Sequence, residues 1–192
     1  LLQAQASKAK IIGLANAGGD TTNSIKQAAE FGITKGGQNL AGMLVFLPDV
    51  HSLGLNIAQG LMLTETFYWD LNDNTRAFSK RFAALNGGKN PSMVQAGVYS
   101  SVIHYLKAVD AAKTDDGTKV AAKMKELPTD DPLFGKGSVR ADGRKIHPAY
   151  LFQVKKPAES KGPYDYYKLV ATIPANEAFR PLAESECPLV KK

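Results

Sequence analysis

The chain has 192 residues, 44% of them apolar and 22% charged, with a formal net charge of +6 from 24 basic and 18 acidic side chains. This is an ordinary globular composition, and it excludes collagen-like and disordered chains. Cys187 is the one cysteine, too few for a disulfide scaffold or a thiolate metal site. No apolar run approaches the roughly 20 residues that span a bilayer. The basic residues are scattered without interleaved aromatics, so the charge reads as a solvated surface and no nucleic-acid partner is expected.

Residues 1–9 read as the last turns of a helix whose beginning is absent, so the chain is expected to be a fragment. The apolar, β-branched run at residues 10–16 predicts a strand buried on both faces, as in a parallel sheet. Ala17, Gly18 and Gly19 form a turn, with Asp20, Thr21 and Thr22 as capping residues. Ile25, Ala28, Ala29 and Phe31 follow at helical spacing until Gly32 ends the helix. A second strand is predicted over residues 41–47, with Asp49 capping a short helix, and a third over residues 61–69. Strand–helix–strand alternation predicts an α/β layer.

The polar cluster at residues 70–75 closes this block and offers caps. Ala77, Phe78, Phe82 and Leu85 then make a helical stripe ended by Asn86, Gly87 and Gly88. A second helix starts near Met93 with a wide apolar face, and a third covers residues 120–127. Strands are predicted over residues 134–140, 149–154 and 166–173, the last two joined by an exposed Lys/Gly/Pro-rich loop. The prolines of the tail, Pro174, Pro181 and Pro188, argue against a long terminal helix. The outer two blocks would share one sheet, and the helices would form another body.

In open α/β sheets ligands bind at the carboxyl ends of the strands. That singles out Asn16, Ala17 and Gly18 after the first strand, where glycines let a ligand approach and a helix N-terminus favours an anion. Asp49 and His51 hold the equivalent place after the second strand. Phe67, Tyr68 and Trp69 end the third strand as candidate cleft-rim or hinge aromatics, and Tyr99 is a candidate cleft residue early in the apolar helix. Each has a plainer reading: a capped βα turn, a helix cap, a surface histidine, core aromatics. No phosphate loop or GxSxG elbow is present, and His51, His104 and His147 lack metal-ligand spacing. No catalytic residue, metal or cofactor is therefore expected.

Four segments together resemble one family. They are the strand–loop–helix from Ile11 to Ile33; Gly60-Leu-Met-Leu-Thr-Glu-Thr-Phe-Tyr-Trp; Ala96-Gly-Val-Tyr-Ser-Ser-Val-Ile-His-Tyr-Leu; and Phe134-Gly with Val139-Arg-Ala-Asp-Gly-Arg. The chain resembles the solute-binding proteins of branched-chain amino acid ABC transporters, leucine-binding-like members of the type I periplasmic binding proteins. The resemblance implies a two-lobed α/β architecture, here incomplete and C-terminal. Residues 1–69 would be the later part of the second lobe, 70–146 a return segment of the first, and 147–192 strands and tail back in the second. It implies a small polar ligand (an amino acid, an aromatic acid or another small carboxylate) in an interlobe cleft that closes by hinge motion. It implies a periplasmic location, an inner-membrane permease as partner, and a missing N-terminal half that supplies the first lobe's sheet.

The resemblance places ligand contacts at Asn16–Ala17, Asp49 and about Tyr99. Ala17 stands near a common aromatic and Asp49 replaces a Glu, which leaves amino acid specificity open. Cys187 would have its disulfide partner in the missing half. Without that half, Phe78, Phe82 and Val98 are expected to lie exposed. A ligand sensor or regulator of the same fold, or an α/β enzyme, are the competing functions.

Overall fold

The computed structural model describes residues 1–190. In chain order the elements are α1 (Leu2–Ala6), β1 (Ile11–Leu14), α2 (Gly18–Glu30), β2 (Asn39–Gly42), α3 (Leu47–Leu53), α4 (Leu55–Ala58) and β3 (Met62–Glu65). Then come α5 (Asp73–Leu85), α6 (Met93–Ala112), α7 (Gly117–Glu126), β4 (Thr129–Asp131), β5 (Gly135–Val139), β6 (Lys145–Ile146), β7 (Ala149–Val154) and β8 (Tyr167–Ile173). The chain divides into two units. A sheet unit contains Leu1–Glu65 and Tyr150–Thr172, and a helical unit contains Thr66–Ala149 and the tail from Ile173 onward. The backbone therefore passes between units three times, after Glu65, after Ala149 and after Thr172.

The sheet unit is built on a five-stranded sheet of order β1-β2-β3-β7-β8. β1 runs parallel to β2 with Ile11 opposite Asn39, and β2 runs parallel to β3. β7 runs antiparallel to β3 with Glu65 opposite Tyr150, and β8 neighbours β7. The outer two blocks share this sheet only in part: β7 and β8 join β1, β2 and β3, whereas the strand expected at residues 134–140 lies in the other unit. Ile12, Leu14, Leu40, Leu63, Phe152 and Val154 are among the sheet's buried apolar residues, packed with Ile25, Ala28, Val50 and Leu53 of the helices. The helix α2 ends as expected, with Gly32 at φ +66° just past its end.

Three expectations about strands are corrected. β1 is not buried on both faces: its burial alternates, and Ile11 is 63% exposed. The run at residues 41–47 yields only the end of β2. Leu47 already opens α3, because Pro48 suits a first helical turn and Asp49 can cap it. The run at residues 61–69 stops at Glu65, where the backbone leaves for the other unit. The second helix also begins before its expected caps, at Gly18, so Thr21 lies inside it and buried.

The helical unit contains α5, α6, α7 and a three-stranded sheet of order β4-β5-β6. The polar cluster caps α5 as read: Asn72 Oδ1 accepts from Thr75 N–H, 3.0 Å away. Ser92 and Gln95 form a reciprocal capping box at α6, with Ser92 N–H donating to Gln95 Oε1 at 2.9 Å. β4 and β6 were not legible in the sequence, and the strand at β5 belongs to this small sheet. At Gly137 a Cβ would lie 2.4 Å from the Ile146 carbonyl oxygen, so only glycine lets β5 approach β6 this closely. The core gathers Phe67, Phe78, Ala96 and Leu133, with Trp69, Phe82, Met93, Tyr99 and Phe134 packed against it. Phe78 is thus buried, contrary to expectation, because Phe67 and Tyr99 cover it. Phe82 is half-buried and Val98 is exposed. Residues 173–190 group with this unit rather than returning to the sheet unit as expected for 147–192, and among these described residues lies a short 3-10 turn, Leu182–Glu184.

Candidate functional site

Parallel pairing of β1 and β2 sets the turns that follow them side by side, and Met43 N–H donates to the Leu14 carbonyl at 3.1 Å to close that edge. Asn16 and Ala17 lie in the first turn, Gly18 opens α2, and Asp49 lies in the first turn of α3. The structure therefore brings these four to one edge of the sheet.

Their side chains are less available than their positions. Asn16 Oδ1 accepts from the buried Thr21 hydroxyl at 2.9 Å, and its Nδ2 donates to Ser24 Oγ at 3.1 Å. Asn16 is therefore a clamp between the turn and α2. Ala17 occupies the N-cap in extended conformation without a side-chain acceptor, and Gly18 follows at φ +56°. The first backbone N–H groups of α2 thus carry no side-chain cap, and helix geometry gives them no intrahelical partner. Asp49 Oδ2 accepts from Phe46 N–H at 2.8 Å and caps α3. A carboxylate has about four acceptor sites, so capping and ligand binding are compatible.

His51 leaves this edge. Its Nδ1 lies 2.8 Å from the Tyr166 hydroxyl, and its ring stacks on Tyr164 with centroids 4.5 Å apart. Tyr164 and Tyr166 belong to the loop after β7. β7 is antiparallel to β3, so that loop stands at the opposite edge, where the parallel strands begin. The loop is built rather than slack. Asp165 is bonded by Lys155 Nζ and by Lys161 N–H at 2.8 Å, and its neighbour Tyr164 is left-handed at φ +67°. Burial raises the Asp165 carboxyl, but the Lys155 and Lys161 bonds outweigh it and hold the group below the ordinary aspartate value. His51 therefore serves the hairpin loop instead of pairing with Asp49.

Phe67, Tyr68, Trp69 and Tyr99 belong to the helical unit. Phe67 is fully buried and meets Phe78 edge-on at 6.0 Å. Tyr68 is buried, and Trp69 is half-buried beside it at 5.9 Å. Tyr99 is half-buried with its ring 4.9 Å from Phe78. Phe67 and Tyr99 are thus core residues of this unit. Tyr99 also lines an apolar groove of about 600 Å³ between α5 and α6, with Phe78, Phe82, Leu85, Val98 and Val102.

Two polar constellations had no signal in the sequence. In the sheet unit the buried Tyr167 hydroxyl donates to Oε1 of the buried Glu65 at 2.9 Å. In the helical unit Asp131 gathers Ser100 Oγ and Lys145 Nζ, each at 2.7 Å, and the Leu133 and Phe134 N–H groups. Burial pushes the Asp131 carboxyl up, but these bonds prevail and hold it below the ordinary value. Lys145 Nζ also lies 4.6 Å from the centre of the Phe134 ring. Partners 31 and 14 residues apart follow no helix or strand period, so only the fold reveals the cluster. His147 packs between Phe134 and Phe179, and burial lowers its pKa. Cys187 is a half-buried free thiol in a polar hollow with Asp142, Arg144 and His147. Among the described residues no group of three or more His, Cys, Asp or Glu is placed to hold a metal. Nor is any helix among them long and apolar enough to cross a membrane.

The periplasmic binding protein family model matches residues 1–163. A periplasmic binding protein from Burkholderia mallei is 54% identical, with TM-score 0.91 over 99% of this chain and 50% of that one. A branched-chain amino acid ABC transporter periplasmic ligand-binding protein from Burkholderia xenovorans LB400 is 45% identical, with TM-score 0.86 over 98% of this chain and 50% of that one. An ABC transporter solute-binding protein from Rhodopseudomonas palustris BisB5, solved with 3,4-dihydroxybenzoic acid, shares the fold. It is 21% identical, with TM-score 0.72 over 91% of this chain and 47% of that one. No curated protein matches the chain. The chain spans about half the length of these solved relatives. It belongs to the periplasmic binding protein family.

Proposed function

We propose that this chain is the ligand-contacting C-terminal portion of an extracytoplasmic solute-binding component of an ABC importer. The observation that carries this reading is the 54% identity to a periplasmic binding protein over 99% of the chain. The ligand is a small polar molecule bearing a carboxylate, either an amino acid or an aromatic acid. The uncapped N–H groups at the start of α2 receive its carboxylate, since that helix end carries partial positive charge. Asp49, one turn along the same edge, receives a donor group of the ligand, and the small Ala17 leaves room for an aromatic ring.

The sheet unit is a portion of one lobe and the helical unit a portion of the other. Tyr99, Tyr68 and Trp69 contribute to the ligand site from the helical unit's lobe, and the three backbone passages act as the hinge. A ligand with contacts on both lobes shifts the hinge equilibrium toward closure. The closed form docks on an inner-membrane permease in the periplasm. The reaction is binding, without covalent chemistry or a cofactor.

The test is calorimetric. This chain, joined to the preceding half of the Burkholderia mallei relative, is titrated with leucine, phenylalanine and 4-hydroxybenzoate. Saturable binding of one of them, weakened at least about tenfold by Asp49→Ala (the loss of one charge-assisted bond), supports the reading. Binding of none of a panel of amino acids and aromatic acids overturns it.

A further inference from the structure

We propose that the polar hollow between the β6 segment and the tail binds a phosphate group, free or esterified. The hollow holds about 400 Å³ and is lined by Arg144, Lys145 and His147 from the β6 segment and by Ser185 and Cys187 from the tail. All five belong to the helical unit. The site is therefore separate from the ligand edge of the sheet unit, and the inference does not rest on the function proposed for that edge.

The charge in the hollow is left positive. Asp142, which also lines it, is paired with Arg140 at 2.6 Å, and Lys145 is paired with Asp131 at 2.7 Å. Among the described residues Arg144 is in no ion pair. Its guanidinium lies over the Phe179 ring, 5.3 Å from the centre, and this contact holds the cation in place. A guanidinium fork takes phosphate oxygens in pairs. Lys145 spends two of its three ammonium donors on Asp131 and Ser100, which leaves the third. Ser185 Oγ accepts from Cys187 N–H at 3.2 Å, so the hydroxyl hydrogen remains to donate. His147 Nδ1 lies 2.9 Å from the Pro148 carbonyl, which only accepts, so Nδ1 carries the hydrogen and Nε2 of the neutral ring accepts. Donors on two separate segments favour an anion with three or more acceptor oxygens over a flat carboxylate with two. The Nε2 acceptor suits a hydroxyl of the phosphate or of its ester.

The test is a titration with inorganic phosphate and with glycerol 3-phosphate at constant ionic strength, on this chain joined to the preceding half of the Burkholderia mallei relative. Neither probe carries a carboxylate, so failure here is distinct from failure at the ligand edge. Saturable 1:1 binding of at least one probe is expected by calorimetry, weakened at least about tenfold by Arg144→Gln, as for one lost charge-assisted contact. Ser185→Ala weakens it by a smaller factor. Arg76→Gln removes the same charge where Asp70 and Asp73 already pair it, and leaves the affinity unchanged. Circular dichroism checks that each variant is folded. Should Arg144→Gln fail to fold, Arg144→Lys takes its place: it keeps the charge, loses the fork and still weakens binding. Tighter binding of glycerol 3-phosphate identifies an ester as the ligand, and tighter binding of inorganic phosphate identifies the free anion. Absence of saturation with both probes overturns the proposal. So does binding that Arg144 variants leave unchanged, or that Arg76→Gln weakens equally, because surface charge alone would then account for it.

Discussion

The two units solve the same problem with different connectivity. In the sheet unit the first 65 residues supply β1, β2, β3 and their helices in order, and only the hairpin of β7 and β8 arrives from elsewhere. Its site-forming contacts are correspondingly local: Asn16 with Thr21 and Ser24, Asp49 with Phe46. The helical unit joins residues as far apart as Phe67, Ser100, Asp131, Lys145 and Phe179, and its key polar cluster is a buried ion pair with three further donors. Local turns make loops that can be exchanged or refitted around a ligand. Long-range clusters make a body whose parts stand or fall together. The proposed ligand edge lies on the locally built unit.

The largest expected effect comes from the core of the helical unit. Phe67→Ala removes a fully buried ring from the Phe78 contact and is expected to cost about 3–5 kcal/mol. Trp69, the chain's one tryptophan, packs on that core, so its fluorescence in a urea titration reads the loss. If amide exchange in β1 and β2 rises as much as exchange in α6, the two units are one cooperative body and the contrast fails. Next is Asp131→Ala, which leaves Lys145 and Ser100 facing a cavity. The expected cost is about 3 kcal/mol, the lower end for a broken buried pair, because Lys145 keeps 22% of its side chain exposed. A stabilised variant would sink the role given to this cluster.

Acid should separate the units by pH. Burial lowers the His147 pKa below 6.5, so the unfolded chain takes up that proton first. Stability of the helical unit therefore falls as pH drops below about 6.5 toward the depressed folded value. His147→Phe removes this phase, and Trp69 fluorescence across a pH series of urea titrations checks it. Asp131 and Asp165 act at lower pH and one in each unit. Their folded values are depressed, so what they contribute is present above about pH 4, the ordinary aspartate range, and is lost as the pH falls through those lower values.

Smaller effects test the ligand edge. Thr21→Val keeps the buried volume but withdraws the donor to Asn16, at an expected cost of about 1 kcal/mol. Exchange at the amides of residues 15–20 should rise while that of α6 does not. Tyr166→Phe is the mildest. Its bond to His51 is exposed, so a loss of about 0.5 kcal/mol or less is expected, together with freer motion of the Tyr164 ring by NMR line shape. An effect of several kcal/mol would mean that the hairpin loop is structural to the whole unit.

The fold class, the strand–loop–helix start, the three helices and the β7–β8 hairpin were legible because each is written in short-range pattern: helical stripes, Gly32 as a stop, Asn72 and Ser92 as caps. The candidate site was legible as positions, since a turn after a parallel strand always faces the same edge. What the side chains at those positions do was not. Whether Asn16 meets a ligand or clamps α2 depends on where Thr21 and Ser24 point, and His51 is drawn away by two tyrosines more than 110 residues later in the chain.

By itself the sequence determined the main helices, the β7–β8 hairpin, the family resemblance and the edge where a ligand is expected, because hydrophobic period and turn chemistry act within a few residues. Only the tertiary structure decided that β3 ends at Glu65, that Phe78 is buried while Val98 is bare, and that Ser100, Asp131 and Lys145 meet. Those outcomes depend on which unit the backbone enters at each of three passages, and no local pattern encodes that choice.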